Sequence, residues 1–328
     1  MSGIPKVGAM FEPAVTAIYL DQCVISRFVP DIDPSWSTLF ETLSLGHARG
    51  KILCPHSLEH LVESAAMSPD RGAAADELLR TLSLGWSLQV EPQLVAAQLK
   101  SVVREVPLTR NDILIRHPFK PLSDQAVHAI LATSKANLDS FNESKFRISN
   151  AIKALTRIEP RETWATMMEI MATIARRYAA DLKSEVGTVL ARGQAEIKAE
   201  PDAPHMPTWT SYIVYLLVTE HQFTHRELTL LDGCLDASLG LLFLPFFQVK
   251  AALEAYRSWN RKKFEASDQY DVTRVACALP FVDILITDGS VANALRETRV
   301  DTFFRTEVFS TKDRERTALL QRLTDAIA

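Results

Sequence analysis

Val282-Asp283-Ile284-Leu285-Ile286-Thr287-Asp288 is a short apolar strand that finishes in a carboxylate, and Ala17-Ile18-Tyr19-Leu20-Asp21, near the other end of the chain, is a second one. Open α/β sheets take their ligands outside the carboxyl ends of their strands. Two strands ending in Asp therefore read as two halves of one acidic site. Carboxylates gathered at close range stay ionised together only when positive charge sits among them. All-oxygen ligands of this kind suit Mg²⁺ or Mn²⁺, and such a centre points to metal-dependent phosphodiester chemistry.

The rest of the chain sets bounds on that reading. Its 328 residues are 47% hydrophobic and 23% charged, an ordinary globular composition with room for one large domain or two smaller ones. A formal net charge of -4 excludes a globally basic nucleic-acid binder but leaves room for a local basic patch. Cys23, Cys54, Cys234 and Cys277 are scattered without a Cys-x-x-Cys pair, so neither a zinc ribbon nor a disulfide framework is expected. A reducing, cytoplasmic setting is the natural expectation. No secretory signal is expected in the first residues. The most apolar stretch, residues 239–249, is shorter than the ~20 residues a membrane span needs. With Pro245 inside it, it reads as a buried, kinked helix.

Outward from the two strands, residues 51–54 form a short apolar strand, and Pro55-His56-Ser57 opens a helix with Ser57 as its cap. Strand and helix thus alternate through the first seventy or so residues. The middle is different. Helical spacing runs through 76–84, 92–103, 124–154, 161–189, 209–221 and 226–264, with almost no strand signal. The α/β pattern returns with a helix over 268–279, a strand over 282–286 and a helix over 291–296. A final strand is expected over 300–304 and a helix over 314–327. The fold class read from this pattern is α/β, with a large all-helical insertion between the two chain ends; if both ends belong to one sheet, the insertion hangs over its carboxyl edge.

Several segments resemble the PIN-like nucleases. Tyr19-Leu20-Asp21-Gln22-Cys23-Val24-Ile25-Ser26 is similar to the family's opening strand. Pro55-His56-Ser57-Leu58-Glu59-His60-Leu61-Val62-Glu63 resembles the Ser-x-x-His-x-x-Glu pattern of one subgroup. The run from Asp271 through Leu279-Pro280-Phe281-Val282-Asp283 to Thr287-Asp288 is similar to the closing signature. The resemblance implies that Asp21, Glu63, Asp271 and Asp288 hold one or two Mg²⁺ or Mn²⁺ ions and form the catalytic set, with Thr287 beside the last. Asp283 is a weaker candidate, and Asp268 and Asp288 also fit helix caps. The implied core, a PIN-like (Rossmann-like) parallel sheet formed from both chain ends, spans 14–70 and 265–328, with 71–264 as the helical insertion. Two features depart from the family pattern. Cys23 stands where a small polar residue is usual, and Glu59 shares a helix face with Glu63.

The implied activity is that of a hydrolase: an Mg/Mn-dependent ribonuclease, read as an endonuclease on single-stranded RNA. Arg257, Arg261, Lys262 and Lys263, interleaved with Tyr256, Trp259 and Phe264, are candidates to guide that strand. Arg274 could reach a phosphate or pair with an acid. The alternatives are a catalytically inactive PIN-like scaffold, and a zinc metalloprotease through His56-x-x-Glu59-His60. The helical middle is a candidate for self-association or for binding a regulatory protein.

Overall fold

The computed structural model describes residues 4–29, 34–65, 67–116, 163–192, 208–260 and 266–328. Its centre is a four-stranded sheet in the order β2-β1-β5-β6. These strands are β1 (Thr16–Leu20), β2 (Ile52–Leu53), β5 (Ile284–Thr287) and β6 (Glu307–Ser310). All pairings are parallel. The two ends of the chain meet directly, since β1 pairs with β5 in the register Ile18↔Ile284, Tyr19↔Leu285, Leu20↔Ile286. That register places Asp21 beside Thr287. The backbone continues the ladder there, with Asp21 N donating to Ile286 O at 2.9 Å.

A parallel sheet is covered on both faces, so its strands are apolar throughout rather than alternating with polar residues. The side chains still separate by parity. Ile18, Leu20, Ile52, Ile284 and Ile286 share one core with helices α1 (Gln22–Phe28), α2 (Ser37–Ala48), α4 (Pro69–Ser83) and α14 (Asp313–Ile327). Ala17, Tyr19, Leu53, Leu285 and Val308 point the other way. Their core runs without a break into α5 (Glu91–Arg104), α7 (Thr163–Arg192), α8 (Trp209–Thr219), α9 (His225–Leu235), α10 (Pro245–Trp259) and α11 (Ala266–Ala278). The described helical middle therefore forms the layer on one face of the sheet. The reason lies in the apolar side chains of that face, which need a cover.

Other local expectations shift for identifiable reasons. Residues 300–304 form a short helix, α13 (Val300–Phe304), not a strand. Val300 and Phe304 are buried while Phe303 is exposed, which is helical spacing. The last strand comes three residues later, as β6. Pro245 starts α10 at its first turn, where a missing N–H costs nothing, and a 3-10 turn (Gly240–Phe243) precedes it. The middle also contains strand. β3 (Trp86–Leu88) and β4 (Leu114–Arg116) pair antiparallel, and His56 bridges to Ser87. Residues 124–154 lie outside the described residues. Helices α3 (Leu58–Ala65), α6 (Arg110–Ile113) and α12 (Gly289–Glu297) complete the described set.

Candidate functional site

Asp21 occupies the cap position of α1, yet its side chain makes no cap hydrogen bond. A turn residue would spend its carboxylate on the helix start. This one is buried and faces the neighbouring strand end, where Thr287 Oγ1 donates to Asp21 Oδ2 at 2.5 Å. The other oxygen faces Arg274, with Nη2 at 2.8 Å from Asp21 Oδ1. Arg274 stands on α11 and is 4% exposed. Its Nη1 donates to Glu63 Oε1 at 2.7 Å, and its Nη2 also pairs with Asp271 one turn back. Asp21, Glu63 and Asp271 thus come together from three separate elements, and they do so around one guanidinium.

The Ser-x-x-His-x-x-Glu stretch explains how Glu63 is aimed. Ser57, preceding α3, donates its N–H to His60 Nδ1 at 3.0 Å. This is the reciprocal half of a capping box, with His in the place usually taken by Glu or Gln. An accepting Nδ1 leaves the proton on Nε2, which donates to Leu20 O at 2.7 Å. The Tyr19 hydroxyl lies 2.9 Å from Ser57 Oγ. The motif therefore pins α3 to the last residues of β1, one residue before Asp21. Burial, together with the Arg274 and His56 charges, drives the His60 pKa down to about 3, so the ring is neutral.

Burial also dominates the acids. It raises Glu63 to about 7 and Asp271 to about 6, with Arg274 pulling each the opposite way. For Arg274, burial opposes the charge, but Asp21, Glu63 and Asp271 outweigh it and raise its pKa, so it stays protonated. The cage is imperfect. Asp21 Oδ1 is buried without a hydrogen bond, its contact to Nη2 being charge pairing alone, and Arg274 Nε also makes none.

The remaining expected residues fall around this centre. Asp288 caps α12, its Oδ1 accepting from Ser290 N at 2.6 Å and Val291 N at 3.2 Å. Its charge still reaches Asp271 and Cys23. Burial, then Asp21 and Asp288, push the Cys23 thiol up, which keeps it protonated. Glu59 is raised by burial and lies within the field of Arg274, but the direct contact goes to Glu63. Asp283 does structural work at the opposite end of β5. It accepts from Ala17 N at 2.8 Å and faces Lys6, whose Nζ donates to Val282 O at 2.6 Å. Asp268 lies in the first turn of α11. Arg257 Nη2 is 3.8 Å from Asp271 Oδ2. Arg261, Lys262 and Lys263 lie outside the described residues.

The His-x-x-Glu-His reading does not form a zinc site. α3 begins at Leu58, so His56 lies outside the helix and bridges to β3, while both ring nitrogens of His60 are engaged. Among the described residues no group of three or more His, Cys, Asp or Glu side chains is spaced to hold an ion. The acids around Arg274 nonetheless offer a donor set of the kind a hard divalent cation takes, namely carboxylate oxygens with one buried oxygen unsatisfied. Such an ion would compete with Arg274 for the same oxygens. Also among the described residues, no helix is long and apolar enough to cross a membrane. No protein family, characterised protein or solved structure matches this chain.

Proposed function

We propose that this chain is a PIN-like, divalent-metal-dependent nuclease acting on single-stranded RNA. The observation that carries this reading is the convergence of Asp21, Glu63 and Asp271 at the carboxyl edge of a parallel sheet. Two of these acids are held well above the ordinary carboxylate range by burial. Such a group favours any added positive charge. Asp21, Glu63 and Asp271, with Asp288 alongside, would hold Mg²⁺ or Mn²⁺. When bound, the ion supplies an activated water and neutralises charge on the phosphate oxygens.

The chain's own residues prepare that chemistry. Thr287 fixes one oxygen of Asp21. His60 and Ser57 hold α3, and with it Glu63, against the end of β1. Arg274 holds the three acids together through its guanidinium, and it would remain a cation available to a phosphate if an ion took those oxygens.

The position of Arg274 also favours a second reading, a non-enzymatic scaffold in which the guanidinium permanently fills the acidic centre. One experiment separates the two. Cleavage of mixed single-stranded RNA is measured with Mn²⁺ or Mg²⁺ for the wild type, Asp21→Asn and Asp271→Asn, alongside Mn²⁺ binding by calorimetry. The nuclease reading expects divalent-dependent cleavage that disappears in both folded variants. A wild type that neither cleaves nor binds Mn²⁺ leaves the scaffold.

A further inference from the structure

An open cleft of about 540 Å³ lies at the joint between β6 and α14, lined by Arg27, Ser35, Thr311, Lys312, Asp313 and Arg316. Three of these side chains are cationic and one is acidic. Arg316 Nη1 donates to Asp313 Oδ1 at 2.9 Å and to Ser35 Oγ at 2.7 Å, so it is aimed and partly neutralised by its neighbours. The six lining residues together carry more formal positive than negative charge. The Arg27 guanidinium lies over the Trp36 ring, 5.3 Å from its centroid, which limits where that charge can go.

The cleft adjoins the acidic centre. Thr311 N donates to Thr287 O at 3.0 Å, and Thr287 is the residue that holds Asp21. Lys312 runs across Gly289, where a Cβ would come within 2.6 Å of Lys312 Cε, and Gly289 directly follows Asp288. Arg27 belongs to α1, the helix that starts immediately after Asp21, and its charge reaches Cys23 together with those of Asp21 and Asp288. Acids and cations thus sit side by side along one carboxyl edge. A nuclease centre repels the polyanion it must cut, and an adjoining basic lining offsets that repulsion.

We propose that this cleft binds the sugar-phosphate backbone of a single-stranded nucleic acid on one side of the acidic centre, with Arg27, Lys312 and Arg316 contacting phosphates. The assignment rests on the nuclease reading, but it names a different set of residues from the basic stretch 257–263 of the sequence. Arg257 of that run is drawn towards Asp271 instead. Hydroxyls from Ser35 and Thr311 add neutral donors suited to phosphate and sugar oxygens.

The test uses the full chain and a fluorescein-labelled oligouridylate in EDTA, where binding is read without cleavage. Fluorescence anisotropy across a salt series is measured for the wild type, Arg27→Gln, Lys312→Gln and Arg316→Gln. Each folded variant is expected to bind about 3- to 10-fold more weakly and to lose about 0.7 from the slope of log K against log salt, the share of one single-strand phosphate contact. Lys312 is exposed, so its variant keeps the test open if an arginine variant fails to fold. Unchanged affinity and slope in Lys312→Gln and in every arginine variant that folds overturns the proposal. So does a wild type that does not bind the oligonucleotide, or binding abolished by millimolar inorganic phosphate, which would assign a free-anion site. Wild-type cleavage with unaltered binding in the variants removes the cleft and leaves the nuclease reading. Variant-sensitive binding without any cleavage does the reverse.

Discussion

Two buried ionic clusters among the described residues differ in what surrounds them. At the carboxyl edge, Arg274 faces Asp21, Glu63 and Asp271. In the helical layer, Lys250 on α10 lies 3.3 Å from Glu91 and 3.9 Å from Glu254. The second cluster is completed from within. Tyr178 donates to Glu254 at 3.1 Å, and Lys250 also lies over the Tyr178 and Phe246 rings. Burial opposes the Lys250 charge, but Glu91, Tyr178 and Glu254 more than offset it and raise its pKa. The first cluster has one more acid, an unsatisfied Asp21 oxygen, and two carboxylates that reach solvent, Glu63 at 29% and Asp271 at 20% exposure. The second cluster is completed by its own hydrogen bonds and ring contacts and holds helices together. The first keeps a buried carboxylate oxygen without a hydrogen bond, which places it to take a ligand.

The sharpest way to break this contrast is to remove each cation. Arg274→Met leaves three acids without their guanidinium. It should cost towards the upper end of the about 3–5 kcal/mol typical of a broken buried pair. Urea unfolding in EDTA measures the loss. Mn²⁺ at 100 times its Kd should restore about 2.7 kcal/mol, provided the same oxygens take the ion. Lys250→Met should cost towards the lower end of the same about 3–5 kcal/mol range, and Mn²⁺ should restore no more than it adds to the wild type. Equal behaviour of the two variants in Mn²⁺ would erase the distinction between the clusters.

A smaller effect should appear in pH dependence. Glu63 titrates near 7 in the fold against an ordinary 4.5, so the folded state retains a proton that the unfolded chain releases over that window. Ionising it costs the fold, and wild-type stability should decline relative to Glu63→Gln as pH rises from about 4.5 to 7, then run parallel above. His60 acts oppositely, its pKa being lowered to about 3, so its contribution to stability is gained as pH rises towards 6.5. It is present in both proteins and cancels in the difference. Parallel curves throughout would mean that Glu63 is not held in a desolvated acidic centre.

The smallest stability change belongs to Asp288→Asn. Asn caps helices as well as Asp does, so the shift should stay within about 0.5 kcal/mol. Mn²⁺ binding by calorimetry should nonetheless weaken, because a charge next to the centre is lost. Unchanged Mn²⁺ affinity would make Asp288 a cap and nothing more.

Particular residues explain what the sequence could and could not disclose. β1 and β5 were legible because both faces of each strand are buried, which leaves an unbroken apolar run ending at Asp21 and Asp288. Ser57, His60 and Glu63 were legible as a spacing, although the spacing does not reveal that His60 reaches the backbone of Leu20. β3 and β4 were not legible. Each is three residues long, and Ile115 in β4 is exposed, so no periodicity builds up. The direction of Arg274 depends on Asp21 and Glu63, which local pattern cannot connect to it. The basic cleft is hidden for the same reason, since Arg27 and Ser35 meet Lys312 and Arg316 only after β1 and β5 have paired.

That pairing has a consequence for the order of events during synthesis. Thr287, the hydrogen-bond partner of Asp21, leaves the ribosome 266 residues after it. At about 5–20 residues per second the wait lasts tens of seconds. During that time β1 has only the two-residue β2 as a sheet neighbour, and its other edge is open to wrong partners. The β1–β5 ladder joins residues 266 positions apart, Ile18 and Ile284 among them, so that loop must close before these contacts reward it. The acidic centre therefore cannot exist on a nascent chain. It can assemble only once β5 has been made and pairs beside β1.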